Sequence, residues 1–168
     1  MKKNYKLLPI LLFVFINLSN INAQEISLST DFVSRYIWRG IDLGGNTPSI
    51  QPTLSLTAGN FNVGFWGAYS FADPAGLNEI DFYASYSFEL ESSGILSIGF
   101  TDYTNPNSGT KIGNFNNYDD PDGPGAHFIE LNAGYNGPES FPVSLSLNYF
   151  LHNVANNPFY FQVGFNTA

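Results

Sequence analysis

The chain has 168 residues, with six basic and fourteen acidic side chains, a net charge of −8 and no cysteine. Beyond position 23 the only basic residues are Arg35, Arg39 and Lys111, against all fourteen acids; with no basic patch to neutralise phosphates, nucleic acid is excluded as a partner. The lack of cysteine excludes a disulfide-stapled scaffold, so stability has to come from burial and sheet pairing.

Met1 to Ala23 reads as a secretory signal. Lys2, Lys3 and Lys6 form a positive start, Leu7 to Ile16 is apolar apart from Pro9, and a polar stretch ends in the small residue Ala23. The apolar run is too short to span a bilayer as a helix, which takes about 20 residues. Residues 24–168 are of one-domain size.

The next stretch, Ile26 to Gly40, alternates at a period of two. If it is extended, Phe32, Tyr36 and Trp38 share an apolar face, and Asp31, Arg35 and Arg39 share the other. A Gly/Asn/Pro-rich loop follows from Ile41 to Ile50, and alternation resumes from Gln51 to Ala58. Gly59-Asn60 reverses the chain into Phe61 to Phe71, where Trp66 falls on the polar side between Gly64 and Ala68. After a polar connection from Ala72 to Glu79, Ile80 to Glu91 places Phe82, Tyr86 and Phe88 opposite Asp81, Tyr83 and Glu89. Ser92 to Gly94 is a short turn into a strand through Leu96, Ile98 and Phe100. Three further segments alternate: Phe128 to Asn136, Val143 to His152 and Phe159 to Phe165. The count is about eight strands, with near-zero mean hydropathy and abundant Phe and Tyr, a composition that suits alternating strands better than continuous apolar spans.

Asn105 to Gly125 is the longest stretch without a strand pattern. Asp119, Asp120 and Asp122 are its metal-ligand candidates, since carboxylates suit hard cations, but their spacing is not that of an EF-hand loop. A solvated acidic loop is the stronger reading. His127 and His152 are the only histidines. No nucleophile elbow, zinc-protease helix or phosphate loop occurs, so no catalytic residue and no cofactor is expected, and the chain is read as a non-enzyme.

The run DFVSRYIWRGIDLGGNTPSIQP with the GNFNVGFWGAYSF and NEIDFYASY segments resembles the TorF-like porin family of bacterial outer-membrane barrels. The resemblance implies an antiparallel transmembrane β-barrel in the outer membrane, in contact with lipid and with the outer-membrane assembly machinery. It implies no particular substrate and no catalytic residues. On that reading small polar solutes diffuse passively through a lumen lined by Asp31, Arg35, Arg39, Trp66, Asp81, Glu89 and Glu130, with Phe32, Tyr36 and Trp38 towards lipid. Only Asn166-Thr167-Ala168 follows the last strand, so the expectation is a truncated piece of a larger barrel of roughly twelve strands, because a solute path needs a wide cylinder. Two alternatives share the same alternation. One is a small barrel filled by its own side chains, with a structural or adhesion role. The other is a soluble exported β-barrel that binds a ligand.

Overall fold

Alternation turns eight segments into long strands, and each pairs with the next long strand in the chain, across connections as short as Gly59-Asn60 and as long as 105–126. The computed structural model describes residues 24–71 and 78–165. The long strands are β1 (Gln24–Val33), β4 (Ser49–Ala58), β5 (Phe61–Ser70), β6 (Glu79–Glu89), β7 (Ile95–Thr104), β8 (His127–Asn136), β9 (Val143–His152) and β10 (Phe159–Phe165). They form one antiparallel sheet in that order. Two short strands, β2 (Ile37–Trp38) and β3 (Ile41–Asp42), make a separate hairpin between β1 and β4.

The hairpin has a sequence cause. Arg39 and Gly40 both take positive φ, +49° and +82°, as a two-residue turn between paired strands requires. Gly40 does so freely; for Arg39 it is an uncommon conformation. The straight strand from Ile26 to Gly40 is therefore corrected: β1 ends at Val33, and the chain folds back across one face of the large sheet. Tyr36, expected on the apolar outside, is buried there at 5% exposure, and Trp38 packs edge-on against Tyr103.

We call the face beneath the hairpin the inner face. Its rows follow from register. Thr53, Trp66, Asp81, Tyr103 and Phe128 lie side by side across β4 to β8, and Gly64, Tyr83, Thr101, Glu130 and Phe150 make the next row. A register shift between Ile129 and Glu130 marks a bulge in the β8–β9 pair, and such an irregularity re-aims the side chain beside it. The outer face carries Leu54, Phe65, Ile80, Ile98, Leu131 and Leu147, all exposed. An apolar face running across the whole sheet is the kind of surface that contacts other molecules.

The sheet is open, and this overturns the barrel. β1 and β10 are its two edges rather than neighbours. Alternation reports that a sheet has one apolar and one polar face; it does not report whether the first and last strands meet. An open sheet encloses no lumen, and its inner face is occupied by the β2–β3 hairpin, so the porin reading and its passage of small polar solutes fall together. An edge strand also turns a row of backbone N–H and C=O groups away from its sheet, and hydrocarbon cannot satisfy them. The outer-membrane location, the lipid contact, the assembly-machinery partner and the transmembrane strands of a roughly twelve-stranded cylinder are corrected on the same ground. The signal reading of Met1 to Ala23 and the chain end at Asn166 to Ala168 lie outside the described residues.

Candidate functional site

The hairpin is fixed to the inner face by one ion pair. The Arg39 guanidinium donates two parallel hydrogen bonds to Glu130, Nη1 to Oε1 at 2.7 Å and Nη2 to Oε2 at 2.9 Å. The Glu130 residue is 0% exposed. Tyr103 Oη and Asn132 Nδ2 donate to the same Oε2 at 2.9 and 3.0 Å. Asn132 passes the network on to Asn148 Oδ1 at 2.9 Å. The guanidinium also lies over the rings of Trp38 and Tyr160, 4.3 and 4.4 Å from their centroids. Both oxygens of the buried carboxylate thus have donors, which is the condition for keeping a charge out of water.

A second acidic pair sits one row away and has no such cation. Glu79 and Asp81, two residues apart on β6, point to the same face and are 8% and 6% exposed. Tyr36 Oη donates to Glu79 Oε2 at 2.9 Å. Burial raises the Glu79 carboxyl, against the opposing hydrogen bonds from Tyr36 and Asp81. Burial is also the main cause that pushes Asp81 up to about 9, with the charge and hydrogen bond of Glu79 adding to it. Burial thus favours the protonated form of both carboxyls, and Asp81 keeps its proton at neutral pH. Burial and the neighbouring carboxyls hold the phenols of Tyr36 and Tyr103 protonated.

Two cavities flank this arrangement, divided by Trp38 and Tyr103, which line both. The first, of about 470 Å³, lies between the hairpin and β7 to β9. Trp38 and Leu43 close it from the hairpin side, Phe128 and Phe150 from the sheet, and Val154 and Pro158 from the β9–β10 turn. Its polar wall is Glu79, Thr104 and Asn105. The Asn105 Oδ1 atom is buried with no hydrogen-bond partner. The second cavity, of about 580 Å³, lies towards β4 and β5 and includes Trp66, Asp81, Tyr83 and Arg35.

The expected site residues separate accordingly. Arg39, Trp66, Asp81 and Glu130 come together on the inner face. Arg35 is exposed and lies 3.6 Å from Asp42, with a hydrogen bond to Asn46. Asp31 and Glu89 are exposed near the strand ends and join no cluster. Asp119 and Asp120 bond the side chain and backbone of Asn117 within their own loop. Among the described residues no group of three or more His, Cys, Asp or Glu side chains could hold a metal ion. His127 is tied at both ring nitrogens, to Asp102 Oδ2 at 2.7 Å and to the Ile112 carbonyl at 2.6 Å, and stacks on Phe115 at 3.8 Å. It clasps the long loop to the sheet.

Sequence reasoning misses Tyr36, Glu79, Tyr103 and Asn105. Simple alternation sends Tyr36 to the wrong face, and Glu79 looks like the end of a connection. For Tyr103 the signal is present, because it continues the same alternation as Ser97, Gly99 and Thr101.

Residues 20–136 match the family model described as "Bacterial protein of unknown function (Gcw_chp)". This replaces the resemblance to the TorF-like porins. No curated protein and no solved structure matches the chain.

Proposed function

We propose that this chain, which belongs to the Gcw_chp family of bacterial proteins of unknown function, binds a small, largely apolar molecule in the cavity beneath the β2–β3 hairpin and releases it unchanged. The observation that carries the reading is the first cavity: about 470 Å³ of space with aromatic and aliphatic walls and one buried acceptor, Asn105 Oδ1, without a donor. Ligand pockets are of this size and character, mostly apolar with few polar groups that fix orientation. A buried unpaired acceptor costs about 1–3 kcal/mol; this oxygen is closed off from the cavity, so a ligand hydroxyl or N–H recovers it once the Asn105 amide turns towards the cavity. A flat phenol matches both features. Binding without turnover is supported by His127, whose two nitrogens are already engaged and which lies away from the cavity wall.

The test is titration with 2-naphthol, followed by calorimetry, on the wild-type chain and on Val154→Trp, which fills the cavity from a turn residue. Saturable one-to-one binding that disappears in the filled variant, with unchanged far-UV circular dichroism, is the expected result. Equal binding by both chains would place the naphthol on the exposed outer face and sink the reading. No saturable binding in the wild type would leave the hairpin with a purely structural role, which the fully satisfied Arg39–Glu130 network favours.

A further inference from the structure

The second cavity differs from the first in what its walls offer. Trp66, Tyr83 and Tyr103 supply rings, and Gln51, Thr53 and Thr101 supply amide and hydroxyl groups among them. Strand pairing sets this mixture, since Thr53 lies beside Trp66, and Tyr83 lies between Gly64 and Thr101. The phenol end of Tyr83 reaches across to Gly64, where a Cβ would come within 2.5 Å of Oη and 2.7 Å of Cζ. The absence of a side chain at Gly64 thus lets the ring lie against the sheet. Thr53, Trp66 and Tyr83 are half-buried. Their polar atoms, Thr53 Oγ1, Trp66 Nε1 and Tyr83 Oη, have no hydrogen-bond partner among the described residues, yet none of the three is sealed in the interior. Each can therefore bond a ligand in place of water.

We propose that the second cavity binds a neutral oligosaccharide, with the C–H face of one sugar ring packed on Tyr83 and its hydroxyls bonded to Thr53, Trp66 and Tyr83. A sugar ring matches both halves of the wall. Its face is apolar and suits an aromatic ring, and its edge carries hydroxyls that donate and accept. The Thr53 and Tyr83 hydroxyls also do both, whereas the indole N–H only donates. The inner face continues in the same character beyond Tyr83. Thr57, Asn62, Ser85 and Gly99 form the next row, and Ser87, Ser97, Gly134 and Ser146 form the one after it. These positions carry no charge, so further sugar units along the sheet meet hydroxyl and amide groups rather than ions.

Charged and apolar ligands fit this wall less well. Arg35 would repel a cation, and its guanidinium is already engaged by Asp42 at 3.6 Å and by Asn46, which weakens its hold on an acid. Asp81 keeps its proton at neutral pH, and its Oδ1 is closed off from the cavity. An apolar molecule would strip water from the three open polar atoms without replacing its hydrogen bonds, which is unfavourable. The volume of about 580 Å³ is in the range of small-molecule sites. The site is independent of the first cavity and of the ligand proposed there.

The probes are maltotriose and cellotriose, with sorbitol as a polyol that has no ring face. Calorimetry of the wild-type chain is expected to show saturable one-to-one binding of at least one trisaccharide, with a Kd below about 1 mM, and none of sorbitol. Trp38 and Trp66 are the only tryptophans in the chain, so in Trp38→Phe the emission comes from Trp66 alone and should change on binding. Thr53→Val keeps the side-chain shape and should weaken the sugar about two- to tenfold, the loss of one hydrogen bond. Tyr83→Leu should weaken it by up to about tenfold through the lost ring. Val154→Trp, which fills the first cavity, should leave sugar affinity unchanged, so this proposal and the naphthol reading fail separately. Binding of neither trisaccharide overturns the proposal, as does equal binding of sorbitol, and both results come from the wild-type protein alone. An unchanged Trp66 signal, or loss of sugar binding in Val154→Trp, would place the sugar elsewhere and overturn it as well.

Discussion

Replacing Arg39 by methionine tests whether one ion pair organises the interior. Methionine keeps most of the apolar length and the same strained turn position, so the change isolates the guanidinium. Glu130, 0% exposed, would keep only Tyr103 and Asn132 as donors. Removing one partner of a buried pair costs about 3–5 kcal/mol, because the remaining charge is left uncompensated. The guanidinium also stabilises the turn through the Trp38 and Tyr160 rings, and its removal there costs about 1 kcal/mol for the two together. A total near 4–6 kcal/mol is a large share of a domain stability of about 5–15 kcal/mol. With a urea slope of roughly 2 kcal/mol/M, the unfolding midpoint should fall by about 2–3 M. Tryptophan fluorescence follows the transition, since Trp38 sits beside the pair. The double variant Arg39→Met with Glu130→Leu should recover to within about 1 kcal/mol of wild type, because an apolar pair of similar volume needs no solvation. A single variant within about 1 kcal/mol of wild type would refute the view that this pair, rather than the surrounding rings, holds the hairpin.

Three further outcomes concern the same interior. The folded carboxyl of Asp81 is raised to about 9, so its contribution to stability is complete below the unfolded carboxylate pKa of about 4 and is lost as pH rises towards 9; urea midpoints measured across that window should move in favour of Asp81→Asn, and a pH-independent difference would contradict the assignment. A Cβ at Gly64 would lie 2.5 Å from Tyr83 Oη and from the Leu54 carbonyl, so Gly64→Ala should cost about 1–3 kcal/mol in thermal or chemical denaturation, against no loss if both the ring and the Leu54 backbone give way. His127→Phe should free the Ile112 carbonyl and raise tryptic cleavage after Lys111 by roughly tenfold, since local opening sets such rates; unchanged cleavage would show that the ring stack and the Asn153 bonds to Asn117 and Gly125 hold the loop without it.

The strands are legible in the sequence because each has one apolar and one polar row. Asp81, Trp66 and Glu130 fall on the polar row for the same reason. The period fails at Ser34, where the chain leaves the sheet. Continuing it to Gly40 sends Tyr36 and Trp38 outward and treats Arg35 and Arg39 as equivalents. The Arg39-Gly40 pair, between Ile37-Trp38 and Ile41-Asp42, is the available signal of a two-residue turn. Glu79 is hidden differently, as the first residue of its strand next to a polar connection. Closure is not legible at all, because face polarity is the same in an open sheet and in a closed one. The family resemblance fills that gap with a barrel, and the sheet order removes it.

The strained turn connects these results. Arg39 takes a positive φ, uncommon for a residue other than glycine, and that turn carries its guanidinium to Glu130. The same turn places Trp38, which walls both cavities, and the segment leading into it places Tyr36 against Glu79 and Trp66. Two acidic groups on the inner face therefore have opposite fates by position alone. Glu130 lies within reach of the turn and is charged and paired, whereas Asp81 lies under Tyr36, beyond that reach, and has to keep a proton. Loss of Arg39 should disturb both cavities together while leaving the outer rows of Leu54, Phe65 and Ile98 in register, because those rows depend on strand pairing and not on the hairpin.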